Sequence, residues 1–217
     1  MKNQQGGFTL VEIAIVLVII GLLLGGVLKG QELINSAKVK NMASDFRNVQ
    51  VMIYGYQDKY RKLPGDDNTA VSRWSLAAGH EGNGNGVING SWNDTTVTES
   101  ALLWEHLRRA NLAAGSTNFS DSAAIKAALP TNAEGGMFGL SGTMPINTMN
   151  GGTFYACSDG IDGKFARQLD LTIDDGTSNT GSVQAIAQVN STTAATGSSA
   201  ASSSYVDGTR YTVCMTY

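Results

Sequence analysis

Cysteine, proline, histidine and charge are all scarce in this 217-residue chain. It has two cysteines, three prolines, two histidines, and only 15% Asp, Glu, Lys and Arg. With His80 and His106 at no ligand spacing, metal binding by the two cysteines is not expected. No G-x-S-x-G, no H-E-x-x-H and no glycine-rich phosphate loop occurs, and His106 lies between Glu105 and Leu107 with no nucleophile beside it. An enzyme is not expected. Positive charge is also lacking where a nucleic-acid face would need it. From Pro64 onward there are seven Lys or Arg against fourteen Asp or Glu, whereas Phe8 to Leu63 has seven against four. No nucleic acid is expected as a partner of the C-terminal part.

Against this background one long apolar run stands out, GGFTLVEIAIVLVIIGLLLGGVL at residues 6–28. From Phe8 onward it has the roughly 20 residues that a helix needs to span about 30 Å of hydrocarbon. A secretory signal peptide would place a small-residue cleavage site after such a run. Here Lys29-Gly30-Gln31-Glu32 follows, and the small pair Gly6-Gly7 comes before it. A signal anchor explains Lys2 by the positive-inside rule but not Glu12, the single charge inside the run. A carboxylate there costs a few kcal/mol and calls for a partner, or for a position close enough to the helix end to snorkel.

The pattern Gly7-Phe8-Thr9-Leu10-Val11-Glu12 resembles the type IV pilin and pseudopilin family. The resemblance implies that a prepilin peptidase cuts between Gly7 and Phe8 at the cytoplasmic face. Phe8 is then N-methylated, and the helix is retained. It implies a bacterial inner-membrane precursor, single-pass with its N-terminus cytoplasmic, handled by an assembly platform and packed into a periplasmic or cell-surface filament. Glu12 would pair with the Phe8 amine of an adjacent copy, so that neither charge is stranded in apolar surroundings. Many pilus subunits carry a proline where this chain has Lys29. That shades the resemblance toward a pseudopilin of type II secretion or a minor subunit. Gly21 and Gly25-Gly26 are weak points in the helix. The alternative function is a membrane-anchored extracytoplasmic module whose head binds a glycan or protein. Two cysteines in an exported chain suggest one disulfide, Cys157–Cys214, as family members often carry; the other reading is two buried thiols.

These readings give an α+β fold: a long N-terminal helix, transmembrane in its first half, packed on an antiparallel β-sheet head. Its parts are a leader at 1–7, a filament-core helix at 8–28, an amphipathic continuation at 29–63 and a head at 64–217. Met42, Phe46, Val49, Ile53, Tyr56 and Tyr60 follow 4-3-4-3-4 spacing, a single helix face that seats the head. Leu63-Pro64-Gly65 stops the helix. Further helices are expected from Thr98 to about Ala113 and from Ala123 to Leu129, the second capped by Ser120 or Asp121. Strands are expected near 137–140, 153–157, 164–173, 182–189 and 209–217, with Asp174-Asp175-Gly176 as a turn between two of them. Residues 191–204 are low-complexity.

No cofactor is required by this scheme. One loop nonetheless has the form of half a calcium site. Glu81, Asn83 and Asn85 alternate with glycines, but Trp92 stands where a bidentate acid belongs, and Asp94 and Glu99 are the nearest acids. Calcium bound there would be held weakly. The pairs Asp159 with Asp162 and Asp174 with Asp175 are second candidates, with plain turn chemistry the simpler reading.

Overall fold

A computed structural model of the chain describes residues 9–149, 151–188 and 200–217. Helix α1 runs Leu10–Tyr60, α2 Ala70–Trp74, α3 Glu99–Arg109, α4 Ser122–Ala128 and α5 Gly163–Ile173. The strands are β1 Phe138–Ser141, β2 Tyr155–Asp162, β3 Val183–Ala187 and β4 Arg210–Thr216. The chain divides into two units, one ending at Lys38 and one from Val39 to Tyr217.

In the unit from Val39 on, the expected helix stripe is the inner face of α1. Met42, Phe46, Val49, Ile53 and Tyr56 are buried, and Tyr60 packs at the margin. They meet Leu103, Trp104 and Leu107 of α3, Phe165 and Leu169 of α5, and Phe138, Leu140, Tyr211 and Val213 of the sheet in one core. The Phe46 and Phe138 rings meet edge to face at 5.3 Å between centroids. The four strands form an antiparallel sheet in the order β1-β2-β4-β3. β4 alternates as its sequence suggests: Tyr211 and Val213 enter the main core, while Cys214 faces a second cluster. That cluster also holds Trp92, Ile146, Met149, Tyr155, Cys157 and Ile186, so both sheet faces are covered. Cys157 and Cys214 are register partners on β2 and β4, and they are joined as a disulfide.

Helix ends follow local chemistry. The Asp121 carboxylate accepts the Ala124 N–H at 2.8 Å and caps α4. α3 begins after Thr98, whose side chain makes no cap bond, and it ends at Arg109, short of Ala113. The strand expected over 164–173 is instead α5. Asp162 accepts the Lys164 N–H at 3.1 Å to start the helix, and Phe165, Ala166 and Leu169 recur at helical spacing on its buried side. The alternation in Leu169-Asp170-Leu171-Thr172-Ile173 looks like a strand, but Leu171 lies 60% exposed. Tertiary burial of the 165/166/169 face decides for helix. Asp174-Asp175-Gly176 therefore leads out of a helix. Helix α2 was not expected. Residues 189–199, which contain most of the low-complexity stretch, lie outside the described residues.

Candidate functional site

The two ends of the apolar run have different chemistry. At its start, Thr9 and Glu12 hold each other. The Thr9 N–H and hydroxyl both donate to Glu12 Oε2, at 2.8 and 2.7 Å, and the Glu12 N–H donates to Thr9 Oγ1 at 3.3 Å. This is a capping box: the Thr-x-x-Glu spacing satisfies backbone donors that the first helical turn leaves open. Its sequence signal is a hydroxyl residue three before a glutamate, ahead of an apolar run. Oε2 takes both Thr9 donors, so Oε1 has no partner among the described residues. Gly7 and Phe8, the expected cleavage and methylation positions, lie outside them.

Beyond Glu12 the helix is apolar on all sides. Fourteen Leu, Ile and Val residues between Leu10 and Leu28 are each more than 45% exposed. The best 18-residue window of α1 has a mean hydropathy of 2.8 and no residue buried within the chain. An added Cβ at Gly21, Gly25, Gly26 or Gly30 would meet nothing within 4 Å. No neighbour among the described residues therefore explains these glycines.

The family model that matches this segment is described as the prokaryotic N-terminal methylation motif, and it covers residues 2–28. The chain begins with a prepilin-type methylation motif. That motif is the hallmark of type IV pilin and pseudopilin precursors. No curated protein and no solved structure matches the chain.

Past the methylation motif and its helix, the head holds a buried polar knot where α1 ends. Asp67, fully buried, accepts from the Tyr56 hydroxyl at 2.7 Å, from the Thr69 N–H and hydroxyl at 2.9 and 2.7 Å, and from Arg73. Burial alone would push this carboxyl up. Hydrogen bonds from Arg73, Thr69 and Tyr56 outweigh it and hold it at about 2. Next to it, His106 Nδ1 accepts the Gly65 N–H at 2.9 Å, and its Nε2 lies 2.9 Å from the His80 carbonyl. That pattern fixes a neutral imidazole protonated on Nε2. Burial lowers its pKa, against the pull of the His80 carbonyl. Each ring nitrogen thus has a structural partner, and neither is placed as a catalytic base.

In the loop that has the form of half a calcium site, backbone N–H groups turn toward two carboxylates. The N–H groups of Gly84, Asn85 and Gly86 converge on Asp66 at 2.6–3.0 Å. Glu99 accepts the Asn83 N–H, the Asn89 N–H and the Asn89 side-chain amide, all at 2.8 Å. Gly84 and Gly86 have positive φ, which lets successive N–H groups turn inward as an anion-holding nest. The four expected ligands use their oxygens locally. Glu81 accepts from Gly79, Asn83 from Asn85, Asn85 from Val87, and Asp94 from Ser91. Glu99, one of the two acids nearest the expected bidentate position, is indeed at the loop, whereas Asp66 was not anticipated because it reaches the loop from outside the sequence window that suggested it.

Of the other acidic pairs, Asp159 accepts the Met137 N–H, while Asp162 caps α5. Asp174 and Asp175 have oxygens within 4.8 Å of each other and of Asp170. Each is already supplied with donors: Asp170 by Tyr205 and Gly176, Asp174 by Ser182 and Val183, and Asp175 by Thr177 and Thr180.

Proposed function

We propose that the chain is a structural subunit of a type IV pilus or pilus-like filament. On this reading prepilin peptidase cuts between Gly7 and Phe8, Phe8 is N-methylated, and α1 drives polymerisation. The observation that carries it is the first half of α1, fourteen large aliphatic side chains in the open. Burying each is worth about 1.5–3 kcal/mol. Together that is tens of kcal/mol, far above the roughly 5–15 kcal/mol that holds a domain folded. Such a surface belongs in a bilayer before assembly and among copies of itself afterwards.

Glu12 is prepared for the second state. Through Oε2 it closes the first turn of its own helix, and through Oε1 it receives the Phe8 amine of an adjacent copy. Cleavage after Gly7 leaves Thr9 in the product, so the capping box survives processing. Mass spectrometry of the membrane-extracted protein tests the reading. A chain starting at methylated Phe8 is expected, whereas material that always keeps Met1 supports an anchored binding module. Glu12→Ala should sharply reduce filament yield while the head stays folded. Filaments at wild-type amounts from that variant would sink the pairing role.

A further inference from the structure

Residues 83–86 read Asn-Gly-Asn-Gly. Asparagine before glycine is the pairing in which the side-chain amide is lost most readily, because glycine has no Cβ to keep its backbone nitrogen from the neighbouring amide carbon. The glycine nitrogen bonds to asparagine Cγ, the Cγ–Nδ2 bond breaks, and ammonia leaves with the proton that the glycine nitrogen gives up. A cyclic imide remains. Water then opens it at either carbonyl, leaving aspartate or isoaspartate. Asn83 and Asn85 are both exposed, so water reaches them.

The loop prepares one half of this reaction and blocks the other. Asn83 Oδ1 accepts the Asn85 N–H at 2.9 Å, and Asn85 Oδ1 accepts the Val87 N–H at 2.8 Å. Each bond stabilises the negative charge that grows on an amide oxygen when its carbon is attacked, as an oxyanion hole does. The nucleophiles are the nitrogens of Gly84 and Gly86. The Gly84 N–H donates to Asp66 Oδ1 at 2.6 Å, and the Gly86 N–H donates to Asp66 Oδ2 at 2.7 Å. To attack, each nitrogen must shed a proton that the carboxylate's charge holds in place. Asp66 is 3% exposed, so water does not compete for these donors. One buried carboxylate covers both nucleophiles, an oxygen to each.

We propose that Asn83 and Asn85 are latent deamidation sites that Asp66 keeps in the amide form. Reaction at either residue adds a negative charge to the loop that wraps Asp66. The isoaspartate product also lengthens the backbone by one atom inside the nest, so the bonds to Asp66 cannot re-form as they were. The change runs one way and marks the age of a head. It stands on the head alone and does not depend on the filament reading.

Full-length wild type in micelles, folded or denatured in urea, is incubated at mildly alkaline pH. Residues 83 and 85 are followed by peptide mass spectrometry, with aspartate and isoaspartate separated by chromatography. Folded protein should react at least about tenfold more slowly at both positions, the factor that one hydrogen bond to a charged group carries. Asp66→Asn should restore most of that factor. Glu99→Gln is the control. It loosens the same loop at the Asn83 and Asn89 N–H groups but leaves Gly84 and Gly86 on Asp66, so it should stay near the folded wild-type rate. Equal rates in folded and denatured wild type overturn the proposal. So does acceleration in Glu99→Gln equal to that in Asp66→Asn, which would make loop mobility the cause. Slower reaction in Asp66→Asn overturns it too, since the carboxylate would then be a base for the attack. Should Asp66→Asn fail to fold, Glu99→Gln decides: a rate near folded wild type supports the proposal, and one near denatured wild type overturns it.

Discussion

Asp67 offers the sharpest test of how the head is held together. Its carboxylate ties the last turns of α1, through Tyr56, to α2, through Arg73 and Thr69. The perturbation is Asp67→Asn, which keeps the shape, removes the charge and replaces an acceptor oxygen with a donor. The carboxyl sits at about 2 when folded, against an ordinary value of 3.8. That difference alone is worth about 2 kcal/mol at neutral pH. Arg73 and Tyr56 lose their acceptor as well, so a total of about 3–5 kcal/mol is expected, the range for breaking one side of a buried pair. Urea unfolding of the full chain in micelles, followed by tryptophan fluorescence, reads this. Trp74 is well placed to report, its ring 5.6 Å from that of Tyr60. The pH dependence has a definite sign. Because the folded value is depressed, the contribution is complete above about pH 4 and is lost as pH falls toward 2. The stability gap between wild type and variant should therefore narrow across that window. A loss under about 1 kcal/mol at pH 7, or a gap that stays constant down to pH 2, would refute the account.

Other outcomes follow from the same coordinates. Cys157→Ser with Cys214→Ser should cost about 2–5 kcal/mol, and a reductant should lower the urea midpoint of wild type but not of the double variant. Neutral His106 should make stability decline as pH falls below about 6.5, because its folded pKa is depressed and the unfolded chain takes up the proton first. His106→Gln should lose that slope, and an unchanged slope would assign it to another group. Gly82→Ala should destabilise the head by about 1–3 kcal/mol, since a Cβ there would lie 2.2 Å from Asp66 Cα and 2.4 Å from the Gly65 carbonyl oxygen. Amide exchange should then speed up at Gly84 and Gly86, whose N–H groups bond Asp66.

What could be read from the chain was what local periodicity encodes. The α1 stripe, the Asp121 cap and the β4 alternation all sit within short windows, and the structure contains them; the methylation motif, equally local, is matched by the family model. The paired cysteines were legible because a chain with only two of them has one possible intramolecular disulfide. Two kinds of feature were not read. Over 164–173 two periodicities compete in the same residues, and the choice is made by which face the rest of the head buries. In the loop around residue 84, the carboxylates come from Asp66 and Glu99, so the polarity of its interior is set by long-range contacts. The Thr9–Glu12 box is a different case, since its spacing was visible and only its meaning was overlooked.

The sheet order has a bearing on biogenesis. Among the described residues, β3 bonds to the rest of the sheet only through β4, the last strand in chain order, and β4 also pairs with β2. A polypeptide emerging N-terminus first cannot complete this sheet until residues 210–216 have emerged. Until then the half-made sheet stays unlocked, and the bond that joins Cys214 to Cys157 can only come last.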